Sequence, residues 1–121
     1  MTWEVRLHAS FEVELLEYDP RVRVALAATA KLLIEYGPQL GRPYVDTLKG
    51  SRHPNMKELR FEAADGEWRA AFAFDPERRA ILLVAGDKSG GSQKRFYQQL
   101  ITKADLRFSA HLETLKAARK E

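Results

Sequence analysis

The chain has 121 residues, 45% of them hydrophobic, and 20 Lys and Arg against 17 Asp and Glu give it a formal net charge of +3. That length fits one domain over 1–121 and is enough to bury a core. The absence of cysteine excludes disulfides, thiolate metal sites and cysteine nucleophiles, and no apolar run approaches the ~20 residues of a membrane span, so a cytoplasmic protein without membrane contact is expected.

Trp3-Glu4-Val5-Arg6-Leu7 alternates with period two and reads as a strand rather than a signal peptide. Ser10 is a predicted N-cap, with Glu12 and Glu14 in the first turn behind it and Phe11, Leu15 and Tyr18 on one helical face. Asp19-Pro20 starts a second helix with Val22, Leu26 and Leu33 inward, and Gly37-Pro38 stops it. The two helices are expected to form a hairpin. From Pro38 to about Asn55 no period is convincing, and a connection of that length is often functional.

Three strands follow, at about 56–62, 67–75 and 80–87, joined by turns at Ala64-Asp65-Gly66 and Asp75-Pro76-Glu77-Arg78-Arg79. In the middle strand Trp68, Ala70, Phe72 and Phe74 share the face expected to pack on the helices. Arg69, Ala71 and Ala73 share the other, whose small side chains predict room for a ligand. Ser92 ends a Gly-rich link and can cap a helix from Gln93 to about Lys103, with a last helix near 105–119. The order β-α-α-β-β-β-α-α describes an α+β domain with an antiparallel-rich sheet.

The candidate chemistry is cationic. Arg42, Lys49, Arg52, Lys57 and Arg60, with His53, face only Asp46 and Glu58 between residues 42 and 60, a local excess that favours a polyanion. Folding the first two strands of the trio about their turn sets Arg60 opposite Arg69, where like charges repel unless an anion lies between them. Lys57 and Arg60 have opposite parity and point to opposite faces of a regular strand. Lys88 follows the third strand at about the same level. Tyr97 and Lys94 lie on the helix after the Gly-rich link, where a tyrosine can stack on a base or move a proton if cations lower its pKa. His53 is a candidate proton carrier. The three histidines show no metal spacing, and the Gly-rich link lacks the lysine of a nucleotide-triphosphate loop.

The runs Leu48-Lys49-Gly50-Ser51-Arg52-His53, Asn55-Met56-Lys57-Glu58-Leu59-Arg60-Phe61, Trp68-Arg69-Ala70-Ala71-Phe72-Ala73-Phe74 and Ile81-Leu82-Leu83-Val84-Ala85-Gly86-Asp87-Lys88 resemble toxins of the RelE/ParE superfamily, nearest to the HigB-like, phage-derived branch. The resemblance covers nearly the whole chain and implies the toxin of a type II toxin–antitoxin pair. It implies partners in a cognate antitoxin, a helix-turn-helix DNA-binding protein, and in the ribosome and its mRNA. The implied activity is metal- and cofactor-independent cleavage of mRNA in the ribosomal A site; a gyrase inhibitor on the same fold and a non-catalytic basic nucleic-acid-binding module are the alternatives. By analogy Lys57, Arg69, Lys88 and Tyr97 form the catalytic set. Lys57 or Tyr97 would be the base, Arg69 would hold the phosphate, and Lys88 or His53 would stand near the leaving oxygen. Lys49, Arg52, His53, Arg60, Lys94 and Arg95 would bind RNA.

Overall fold

The computed structural model describes residues 2–119. A five-stranded sheet in the order β1-β5-β4-β3-β2 separates two helical layers. Its strands are β1 (Glu4–Leu7), β2 (Val45–Thr47), β3 (Lys57–Ala63), β4 (Gly66–Phe74) and β5 (Arg79–Asp87), and the helices are α1 (Ala9–Leu15), α2 (Pro20–Tyr36) and α3 (Gln93–Arg119). β1 lies parallel to β5, and all other neighbours are antiparallel. Among the described residues no helix is long and apolar enough to cross a membrane.

Alternation along the strands fills both layers. Leu59, Phe61, Ala70, Phe72, Leu82 and Ala85 bury against Phe11 of α1 and Val22, Leu26 and Leu33 of α2. Ala71, Ala73, Ile81, Leu83 and Val84 bury against Leu100, Ala104 and Phe108 of α3. Leu83 and Val84 face the same layer because the β4–β5 register shifts between Ala71 and Phe72, which is what a β-bulge does to strict alternation. The β3–β4 hairpin turns on Ala64 and Asp65, both with positive φ, as a two-residue turn that matches strand twist requires.

Several expectations change. The two C-terminal helices are one continuous helix, and it covers the Arg69–Ala71–Ala73 face that was expected to leave room for a ligand. The small residues there admit a helix, not a substrate. The 38–55 segment contains an edge strand, β2, paired to β3. His8, not Ser10, caps α1, its Nδ1 accepting from the Ser10 N–H at 3.1 Å. Asp19 caps α2 as expected, accepting from the Arg21 N–H at 2.9 Å, and Gly37 ends that helix with φ 58°. Ser92 also caps as expected, its Oγ accepting from the Arg95 N–H at 3.2 Å.

Candidate functional site

Arg60 and Arg69 are direct register partners across β3 and β4. Their shared anion belongs to the protein. Glu58 lies two residues before Arg60 and therefore on the same face, opposite Ala71, whose small side chain leaves space for the carboxylate. Arg60 donates to Glu58 Oε2 through Nε at 3.1 Å and Nη2 at 3.0 Å. Arg69 Nε lies 3.7 Å from Glu58 Oε1, and Tyr97 on the second turn of α3 donates its hydroxyl to that oxygen at 2.8 Å. The Glu58 and Arg69 side chains are only 5% and 10% exposed, whereas Arg60 is 33% exposed and also reaches Asp46 on β2 at 3.3 Å. Arg69 donates through Nη1 to the Trp68 carbonyl at 2.9 Å, while its buried Nε has no hydrogen-bond partner.

This arrangement decides what Tyr97 can do. Burial, then the hydrogen bond to Glu58 and its negative charge, push the phenol above its ordinary value of 10, outweighing the opposite pull of Arg69. The expectation that cations lower the Tyr97 pKa is therefore corrected. Its nearest charge is a carboxylate.

Outside this cluster runs a shallow groove of about 350 Å³ between the turn after β2 and the first turns of α3. Lys49 and Gly50 line one side, and Lys94, Tyr97, Gln98, Ile101 and Thr102 the other. The turn is pinned to α3 from below. Asp105, buried in the middle of the helix, accepts from the Ser51 hydroxyl at 2.5 Å and from the Arg52 N–H at 3.1 Å. The His53 N–H donates back to Ser51 Oγ at 3.0 Å.

The remaining candidates are dispersed. Arg52 and Arg95 are exposed beside the groove without lining it. Lys88 follows β5 and is partly exposed, its N–H donating to the Glu67 carbonyl at 2.8 Å, so it stands beside Glu67, two residues along β4 from Arg69 rather than level with it. Lys57 shares parity with Leu59 and Phe61, which pack on α2, so it stands on the opposite face of the sheet from Tyr97. His53 pairs through Nε2 with Ser109 Oγ at 2.9 Å and sets its ring edge-on to Phe108 at 4.9 Å. Ser109 is twelve residues beyond Tyr97 on one helix, about 18 Å along its axis. His53 and Tyr97 therefore do not meet.

One site residue escapes sequence reasoning, and another is left among alternatives. Asp105 reads as a helix break because its hydrogen-bond partners are 53 and 54 residues away. Glu58 reads, with Glu62 and Glu67, as one of three candidate counter-ions for Arg69, and its parity with Arg60 and its register opposite Ala71 single it out.

The fold defines the class. This is a RelE-like α+β domain: it aligns with the solved structure of the free Escherichia coli toxin RelE carrying two arginine-to-alanine substitutions with a TM-score of 0.61 and 13% identity, over 85% of this chain and 97% of that one. The chain belongs to the family of phage derived proteins that are Gp49-like, whose profile matches residues 13–109. Two relatives from Mycobacterium tuberculosis strain H37Rv are named as candidate toxins, HigB2 and HigB3. The chain is 50% identical to HigB2 over 86 residues, 70% of this chain and 42% of HigB2, and 53% identical to HigB3 over 76 residues, 63% of this chain and 64% of HigB3. The matched stretch thus spans about half the length of these relatives.

Proposed function

We propose that the chain is the toxin of a type II toxin–antitoxin pair and cleaves mRNA on the ribosome, with a cognate antitoxin holding it inactive. The observation that carries this is the groove in which two ammonium groups, Lys49 and Lys94, flank a tyrosine backed by a buried carboxylate. Ammonium groups neutralise backbone phosphates, and the phenol offers a stacking face or a hydroxyl to an unpaired nucleotide. The fold shared with RelE and the toxin names of the relatives support the same function.

The reaction would be attack of a ribose 2′-hydroxyl on the adjacent phosphate, giving a 2′,3′-cyclic phosphate and a 5′-hydroxyl. Charge accumulates on the phosphate oxygens in that transition state. A well-placed fixed donor contributes about 3 kcal/mol to such a step. Lys49 and Lys94 are the donors that line the groove, and Arg60, one-third exposed and held by Glu58 and Asp46, would flank it with Arg52, Arg95 and Lys88 along the RNA path. Arg69 holds Glu58 rather than the substrate.

Toe-printing of translating ribosomes with the purified protein tests the proposal. Cuts within the A-site codon are expected, and they disappear in the Lys49→Ala/Lys94→Ala variant. Intact message together with gyrase-linked DNA breaks would instead make the protein a gyrase inhibitor.

A further inference from the structure

We infer that Glu58 aims the Tyr97 hydroxyl so that its oxygen accepts a ribose 2′-hydroxyl in the groove, and that Glu58 takes the Tyr97 proton when that hydroxyl attacks. The inference rests on the ribonuclease function proposed above and adds a residue to it.

The geometry follows from donor and acceptor counts. A phenol carries one proton and two lone pairs, and an ionised carboxylate only accepts. With Tyr97 Oη 2.8 Å from Glu58 Oε1, the single phenolic proton lies in that bond. Arg69 approaches the oxygen from the buried side, and one lone pair is then left for the groove that Tyr97 lines, where it is an acceptor. Its neighbours across and along the groove, Lys49 and Lys94, are donors only. A phosphate suits the ammonium groups, and a hydroxyl that donates suits the phenol. A ribonucleotide carries both on adjacent atoms, and a deoxyribonucleotide lacks the hydroxyl.

Glu58 cannot reach a substrate itself, because its side chain is 5% exposed beneath Tyr97. Its charge is fixed in place by Arg60 on one oxygen and by Arg69 near the other. It accordingly acts through Tyr97, as a positioning residue and proton acceptor. In the step, O2′ bonds to phosphorus while the P–O5′ bond breaks. The 2′ proton passes to Tyr97 Oη, and the Tyr97 proton passes to Glu58 Oε1. The departing O5′ takes a proton from the ammonium of Lys49 or Lys94, and exchange with water resets both groups.

The test uses ribosomes programmed with a natural message or with one whose A-site codon is 2′-deoxy. The unmodified protein should bind the ribose form about tenfold more tightly, as one hydrogen bond warrants, and cut it. Tyr97→Phe removes only a hydroxyl and should fold normally. It should lower cutting about a hundredfold, bring the ribose-to-deoxyribose ratio near one, and leave affinity for the deoxy form unchanged. Glu58→Gln should do the same, and the double variant should lose no more than either single one. Wild-type cutting by Tyr97→Phe, a retained ribose preference, or a Glu58→Gln variant altered only in stability would overturn the inference and leave the ribonuclease function standing. An unmodified protein that cuts no message would overturn both.

Discussion

Arg60 and Arg69 stand side by side across the β3–β4 ladder and share Glu58 as their counter-ion. Two arginines in register repel, and burial raises the cost. The carboxylate converts that repulsion into a three-part ionic core in which Arg69 is almost fully enclosed. Glu58→Ala leaves a buried guanidinium unpaired and should destabilise the fold by about 3–5 kcal/mol in urea unfolding. Replacing the pair with apolar groups, Glu58→Leu with Arg69→Met, should cost less than Glu58→Leu alone. Equal costs would show that the two residues are not coupled.

The far half of α3 is fastened by a second ionic cluster. Asp75, buried at the end of β4, pairs with His111 Nε2 at 2.9 Å and accepts from Arg79 Nη2 at 3.0 Å and from the N–H groups of Glu77 and Arg79 at 2.9 and 3.0 Å. Burial alone would raise its carboxyl pKa, but the hydrogen bonds from His111 and Arg79 and the charge of Arg79 outweigh it and hold the group below its ordinary 3.8. A depressed carboxylate pKa contributes stability that is present above 3.8 and lost as pH falls through the lower folded value. Asp75→Asn should therefore cost about 2–3 kcal/mol at pH 7. Melting curves of the two proteins should converge below about pH 4, and a gap of constant size would contradict the ionic origin.

Gly37 closes α2 with φ 58°, and a Cβ added there would overlap the indole ring of Trp3. The same ring packs edge-on against Phe74 at 5.5 Å and lies under the Arg78 guanidinium at 4.7 Å. Gly37→Ala meets both a left-handed backbone and a filled space, so it should cost about 2–4 kcal/mol. Denaturation followed by tryptophan fluorescence measures the cost, and a change under 1 kcal/mol would show that the ring moves aside freely.

Lys49 and Lys94 face each other across the groove, so each should contribute one phosphate contact. In salt titrations of RNA binding, alanine at either position should reduce the log–log slope by about 0.7. Lys31, exposed on α2 in the opposite layer, is the control and should leave the slope unchanged. Equal effects at all three positions would mean that binding follows net charge rather than the groove.

Local chemistry was readable where it was self-contained. The Asp19-Pro20 start and Gly37 stop of α2, the β3–β4 hairpin and the Arg60–Arg69 register all follow from residues within a few positions of one another. The same alternation sorted Trp68, Ala70, Phe72 and Phe74 to the layer of α1 and α2. What was not readable depends on distant partners. Asp105 is tolerated inside a helix because Ser51 and Arg52 satisfy it, so α3 runs on where a break was expected. At three residues β2 is too short to show a period and exists through its pairing with β3. The Arg69 face looked open because small residues signal close approach without saying what approaches. The anion expected between the arginines is present, but it is a side chain two positions from one of them.

The chemistry of the cut ends tests the proposed function most directly. When message is translated in the presence of the purified protein and the fragments are analysed by mass spectrometry, upstream fragments should end in a 2′,3′-cyclic phosphate. Downstream fragments should begin with a 5′-hydroxyl, and Tyr97→Phe should yield about a hundredfold less of both. Uncut message, or fragments beginning with a 5′-phosphate, would contradict attack by the 2′-hydroxyl and with it the function assigned to the groove.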